Sequence, residues 1–171
     1  KAASLIKANV TQLEAIVTIE QAMSKKSFLD EPLEIITGDA EAAINTAKNN
    51  LSGSLSIGGQ EHYYLEGQVA LAIPTEDNEM VVYSSTQNPT EVQRLVAHVL
   101  NVPHNAIEVI TRRMGGGFGG KETDSSQLAC ICAIFAQQTL KPVKSRLSRR
   151  DDILMTGKRH DFVVNYEVGY N

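Results

Sequence analysis

The chain has no tryptophan, only two cysteines and five prolines, and aromatic residues make up 5% of its 171 positions. These scarcities narrow its possible classes. Cys130 and Cys132 stand two apart inside the apolar run LACICAIFA. That spacing suits a disulfide poorly, and no second cysteine pair completes a zinc site, so both are read as buried thiols. The pattern fits a reducing compartment, and a cytoplasmic location is expected. No apolar run reaches the roughly 18 residues that span a bilayer, and no signal peptide is visible, so no membrane partner is expected. Positive charge is also short: 16 Lys and Arg stand against 20 Asp and Glu, a formal net charge of −4. No face reads as basic, which argues against a nucleic-acid partner. The one basic cluster, residues 141–150, contains Pro142 and runs into Asp151 and Asp152. It reads as a solvated turn and strand.

A hydrophobic fraction of 42% is enough to bury a core, so the chain is one domain or pieces of two. It opens on Lys1 and closes on DFVVNYEVGYN, which reads as a strand broken at its end, so a fragment of a longer protein is expected. The pattern predicts an α+β fold with mixed sheets. Residues 13–19 read as extended, 20–27 as a short helix and 33–37 as a brief strand. Asp39 caps a helix with apolar contacts at Ala43, Ile44 and Ala47, closed by Asn49 and Asn50. From Leu51 the character turns to β, through LSGSLSIGGQEHYYLE, QVALAIP and EMVVYSS, which places a domain boundary between residues 50 and 51.

Asn88, Pro89 and Glu91 mark a sharp helix start, and Val92, Leu95, Val96, Val99 and Leu100 form its apolar face. Gln87 therefore sits between the strand 80–85 and the positive end of that helix. It is either a surface glutamine in a turn or an amide that donates to an anionic or oxo ligand. A strand over 107–111 and a helix over 124–139, with Leu128, Ile131, Cys132, Phe135 and Ala136 as its buried stripe, flank the run RRMGGGFGGKE.

Strand, glycine loop and helix form a general arrangement for anion capture by main-chain N–H groups. Gly115, Gly120 and Lys121 fit a phosphate-binding loop, yet Glu122 stands where that loop has Ser or Thr. Gly115, Gly117 and Gly120 fit a dinucleotide fingerprint, yet no acid follows about 20 residues on. Five glycines in the six residues 115–120 are more than either site requires, and point to a backbone that closely approaches something bulky or to a structural turn.

GGGFGGKET at 115–123 resembles the molybdopterin-domain motif of the molybdenum hydroxylases of xanthine dehydrogenase type. GGQEHYYLE at 58–66 is similar to the family's GGQEHFYLE, and STQNP at 85–89 to its STQN. DDILMTGKRHDF at 151–162 resembles a fourth motif, and the segment before residue 50 looks like the end of the preceding small α+β domain. The four motifs run in the family's order and cover nearly the whole chain.

The resemblance implies roles residue by residue. Gln87 matches the glutamine that hydrogen-bonds an oxo ligand of the molybdenum centre. Gly117, Phe118 and Gly119 match positions where the loop backbone meets the cofactor, so Gln87 and Phe118 belong to the metal's surroundings without being its ligands. Glu122 matches the carboxylate that contacts the purine; aldehyde-oxidising relatives have an apolar residue there. Lys121 has no assigned role. His62 is expected to be a structural hydrogen-bonder.

The activity implied is oxidation of hypoxanthine and xanthine to urate on molybdenum–molybdopterin. Electrons would leave through 2Fe–2S clusters to FAD and then NAD or oxygen, all bound outside this chain. The base glutamate and a second substrate-binding arginine are expected downstream, so the chain alone is expected to be inactive and prone to self-association. The complete enzyme is expected to pair this part with an iron–sulfur/FAD subunit or domain and to form a homo-oligomer. Asp124-Ser125, Gly67-Gln68 and Asp161 depart from the family pattern and are expected to be near-surface changes. An aldehyde-type hydroxylase, a nucleotide-binding module using 115–121 and a non-catalytic scaffold remain as alternatives.

Overall fold

The computed structural model describes residues 5–171, which divide into two units, one of residues 5–58 with 161–171 and one of Gly59–His160. The fold is α+β. In the first unit, helix α1 (Ile19–Lys25) starts at Thr18, whose hydroxyl accepts the Gln21 N–H at 3.2 Å. Helix α2 (Ala40–Thr46) starts at Asp39, whose carboxylate accepts the Ala42 N–H at 2.9 Å. Strand β1 (Asn49–Ile57) pairs antiparallel with β6 (Phe162–Tyr170), from Asn49 opposite Tyr170 to Ile57 opposite Phe162. Asn49 and Asn50 thus begin a strand instead of merely closing a helix. Gly169 lets α2 lie on β6, because a Cβ there would stand 2.9 Å from the Ile44 Cα. Residues 33–37, expected as a strand, stay irregular and exposed. A strand gains its ladder only from a neighbour, and among the described residues none pairs with them.

The second unit is a four-stranded sheet in the order β4-β3-β2-β5, covered on one face by two helices. Strands β2 (Val69–Pro74) and β3 (Met80–Ser84) are antiparallel, and β5 (Val143–Arg146) is antiparallel to β2. Helix α3 (Pro89–Leu100) carries the chain over to β4 (Ile107–Ile110), which runs parallel to β3. Alternation along β2 and β3 sends Ala70, Ala72, Met80 and Val82 to the helices. Val92, Val96, Ala97 and Leu100 of α3 meet them there, together with Leu128, Ala129, Cys132, Ala133 and Ala136 of α4 (Asp124–Thr139). The Asn88 carboxamide oxygen accepts the Glu91 N–H at 3.1 Å, with Pro89 at the first helical position, as the sequence predicts.

Three expectations need correction. Ile131 and Phe135 are 41% and 53% exposed, and Val99 of α3 also faces outward. Helix α4 buries its alanines and Cys132 because small side chains let a helix approach a sheet closely, and an almost wholly apolar segment leaves the periodicity ambiguous. The β character read through residue 66 stops at Ile57; residues 59–68 are irregular apart from one bridge between Gln60 and Arg159. Arg149 and Arg150, expected in a solvated turn and strand, instead begin helix α5 (Arg149–Met155). Ser148 caps it, accepting the Asp151 N–H at 3.1 Å while its hydroxyl donates to the Asp151 carboxylate at 2.7 Å.

Candidate functional site

The motifs STQNP and GGGFGGKET meet in the second unit, stitched together by hydrogen bonds. The Gln87 N–H donates to the Lys121 carbonyl at 2.8 Å, and the Thr86 hydroxyl donates to the same oxygen at 3.1 Å. The Gln87 side-chain oxygen accepts the Gly119 N–H at 3.0 Å and the Lys121 N–H at 3.3 Å. The Ser125 hydroxyl, at the start of α4, donates to the Thr86 hydroxyl at 2.8 Å. Two main-chain donors on Oε1 fix the amide's orientation, so Nε2 is its outward donor.

The loop bends through positive φ at Gly116 (94°), Phe118 (54°) and Gly119 (87°). Phe118 is the informative one. A left-handed conformation costs an L-residue about 1–2 kcal/mol, and such strain gathers at functional sites. Phe118 is 74% exposed and lines a cleft of about 410 Å³ with Gln60, Glu61, His62 and Arg159. The N–H groups of Gly116, Gly117 and Phe118 make no hydrogen bond among the described residues. With Gln87 Nε2 they are donors left without a partner among those residues, the kind of group that an oxygen-rich anion satisfies. Glu122 follows, exposed and without a hydrogen bond or ion pair among the described residues. The structure therefore brings Gln87, Gly117, Phe118 and Gly119 together and leaves Glu122 three residues beyond, exposed.

Beneath the loop lie groups that sequence reasoning missed. Lys121 is fully buried, with Nζ donating to Glu66 Oε2 at 3.2 Å and Ser85 Oγ at 3.0 Å. Its ammonium also stands 4.7 Å from the centre of the Tyr64 ring. Burial lowers the Lys121 pKa against the support of the Glu66 carboxylate. Partial burial pushes the Glu66 carboxyl up, but the Gly115 N–H, the Ser85 hydroxyl and the Lys121 ammonium outweigh it and hold the pKa below its ordinary value. The Tyr64 hydroxyl donates to the Asp152 carboxylate at 2.6 Å, and Gln68 Nε2 donates to the Gly120 carbonyl at 3.0 Å. Burial and then the Asp152 hydrogen bond push Tyr64 up to about 12.

Gly67, Gln68 and Ser125, expected as near-surface departures, are buried parts of this support. Gln68 and Ser125 are held inside by hydrogen bonds to the loop and to Asp152, and a Cβ on Gly67 would stand 2.8 Å from the Asp152 carboxylate. His62 stacks on Tyr64 at 6.5 Å between ring centres and makes no hydrogen bond among the described residues, contrary to its expected role. The capping pattern Ser148 to Asp151 could have revealed α5, and with it Asp152.

A model of the molybdopterin cofactor-binding domain matches residues 21–171. The chain belongs to the molybdopterin cofactor-binding family of the molybdenum hydroxylases. It is 44% identical over 171 residues to the xanthine dehydrogenase/oxidase of Felis catus, covering 99% of this chain and 13% of that relative. It is 41% identical over 175 residues to a probable aldehyde oxidase of Caenorhabditis elegans, covering 100% of this chain and 14% of the relative. The fold is that of the aldehyde oxidoreductase from Desulfovibrio desulfuricans, with a TM-score of 0.85 over 99% of this chain and 20% of that one, at 20% identity. This molybdopterin cofactor-binding chain thus spans about an eighth of its curated relatives. The N–H groups of its glycine loop left unpaired among the described residues are chemically compatible with an anionic cofactor of that family. Among the described residues no three His, Cys, Asp or Glu side chains converge as metal ligands, and no helix is long and apolar enough to cross a membrane.

Proposed function

We infer that the chain is part of a molybdenum hydroxylase that oxidises hypoxanthine and xanthine to urate, holding cofactor and purine but not supplying the base. The observation that carries this is Glu122, an exposed carboxylate with no hydrogen bond or ion pair among the described residues, four residues past the loop's open N–H donors. When bound, the molybdenum cofactor supplies the centre that takes electrons from a ring carbon while oxygen is added. The chain's own residues orient that centre and the purine. Gln87 Nε2 would donate to an oxygen ligand, and the N–H groups of Gly116 to Phe118 would help hold the cofactor. The Glu122 carboxylate accepts from ring N–H groups as charge builds in the transition state. An aldehyde offers no such donor.

In this reading residues 1–50 end the small α+β domain and 51–171 begin the cofactor-binding domain. Iron–sulfur clusters and FAD lie elsewhere in the complete enzyme, which is a cytoplasmic homo-oligomer. The test uses that complete enzyme. It should carry near one molybdenum per chain, and Glu122→Val should lower kcat/KM for xanthine roughly a hundredfold while sparing an aldehyde. Equal losses on both substrates would sink the purine assignment. Unchanged xanthine oxidation would favour the aldehyde-type reading, which the similarity to the Caenorhabditis elegans relative supports. The nucleotide-binding alternative needs a lysine free to meet phosphate, whereas the Lys121 ammonium is buried on Glu66.

A further inference from the structure

The proposed reaction leaves one buried charge unused. Lys121 sends its whole side chain into the second unit, and its two hydrogen-bond partners come from different segments of chain. Ser85 lies two residues before Gln87. Glu66 accepts the Gly115 N–H at 2.9 Å and donates its own N–H to the Gly115 carbonyl at 3.1 Å. The ion pair thereby closes a ring: from Gly115 at one end of the glycine loop, through Glu66, to Lys121 at the other, with Ser85 bound to both charges.

Burying an ammonium costs several kcal/mol in lost hydration, and a methionine would fill similar space without that cost. A buried pair is therefore weak evidence of stability but can specify one arrangement over others. Here that arrangement is the loop's. With the Lys121 side chain held inside, its neighbour Glu122 emerges on the exposed side, and the Gln87 oxygen stays on the Gly119 and Lys121 N–H groups.

We propose that Lys121 is a positioning residue. Its link to Glu66 and Ser85 locks residues 115–122 so that the Gln87 amide, the N–H groups of Gly116 to Phe118 and the Glu122 carboxylate are presented together. This rests on the reading that the loop meets the cofactor and a purine.

The test uses the complete enzyme that contains this chain, as Lys121→Met and as the double variant Lys121→Met with Glu66→Gln. The double variant leaves no charge stranded and keeps the question open if the single variant does not fold. Both should fold, and the electron paramagnetic resonance spectrum of their molybdenum centre should shift and broaden. Per molybdenum bound, kcat/KM for xanthine should fall roughly a hundredfold, the scale of a displacement of about 1 Å. The xanthine KM should rise more than that of an aldehyde. Folded variants that lose molybdenum altogether would carry the same meaning. A loaded variant with the wild-type spectrum and wild-type kcat/KM would overturn the proposal. So would recovery in the double variant, which would trace the defect to a stranded carboxylate. Absence of molybdenum from the wild-type enzyme would overturn both this proposal and the reading beneath it.

Discussion

Position 117 needs glycine because of a neighbour, and position 119 needs it because of its own backbone. A Cβ on Gly117 would stand 2.4 Å from the Gln87 side-chain oxygen, whereas one on Gly119 would meet nothing closer than 3.9 Å but would sit on a φ of 87°. Gly117→Ala should therefore displace the Gln87 amide and cost about 1–3 kcal/mol, as overpacking does. Gly119→Ala should cost about 1–2 kcal/mol through strain. Thermal unfolding measures both costs. Molybdenum content separates the variants, since only Gly117→Ala pushes directly on an amide assigned to the cofactor. The glycine-rich run was legible as a backbone making a close approach. The two different reasons were not, because the Gln87 contact spans thirty positions of sequence.

The elements best read from sequence were those with a local cause. Helix α3 starts where Asn88 and Pro89 place it, and α4 spans the predicted residues. Of the stripe expected on α4, Leu128, Cys132 and Ala136 are buried, but Ile131 and Phe135 are not, because the face turned to the sheet is the one that carries Ala129, Cys132, Ala133 and Ala136. Helix α5 had a local signal too, in the Ser148 cap. Ser148→Ala should destabilise the protein by about 1 kcal/mol in urea unfolding, the usual worth of such a cap. The effect should reach the loop, because α5 carries Asp152, which accepts from Tyr64 Oη and the Gln68 N–H. If Ser148→Ala matched the wild type in stability, the cap would have no role in seating α5.

For the molecule as a whole, two properties follow from what is buried and what is not. Tyr64 has its pKa raised from 10.0 to about 12, so the folded state favours its neutral form. That contribution to stability is complete below pH 10 and is lost as pH rises through the folded value. The melting temperature should thus fall between pH 10 and pH 12 more steeply in the wild type than in Tyr64→Phe. Identical alkaline slopes would contradict it. Leu51, Leu55, Val163, Val164, Tyr166 and Val168 on β1 and β6 are all exposed. The isolated 171-residue chain should self-associate through such surface, and sedimentation velocity should show species larger than a monomer. A single monodisperse monomer would refute this.

From the sequence by itself came the four ordered motifs, hence the family, and the helix starts whose caps lie within three residues of one another. Those are short-range facts, carried by spacing and by side chains that bond their own backbone. Only the tertiary structure decided that STQNP and GGGFGGKET share hydrogen bonds, that the Gln87 amide faces outward with its Nε2, and that Gly67, Gln68 and Ser125 are interior. It alone also separated Lys121 from Glu122, one fully buried and the next exposed. The reason is physical: a carboxylate fifty-five positions away and a serine hydroxyl make the interior habitable for the lysine's charge, and no local pattern announces partners at that distance.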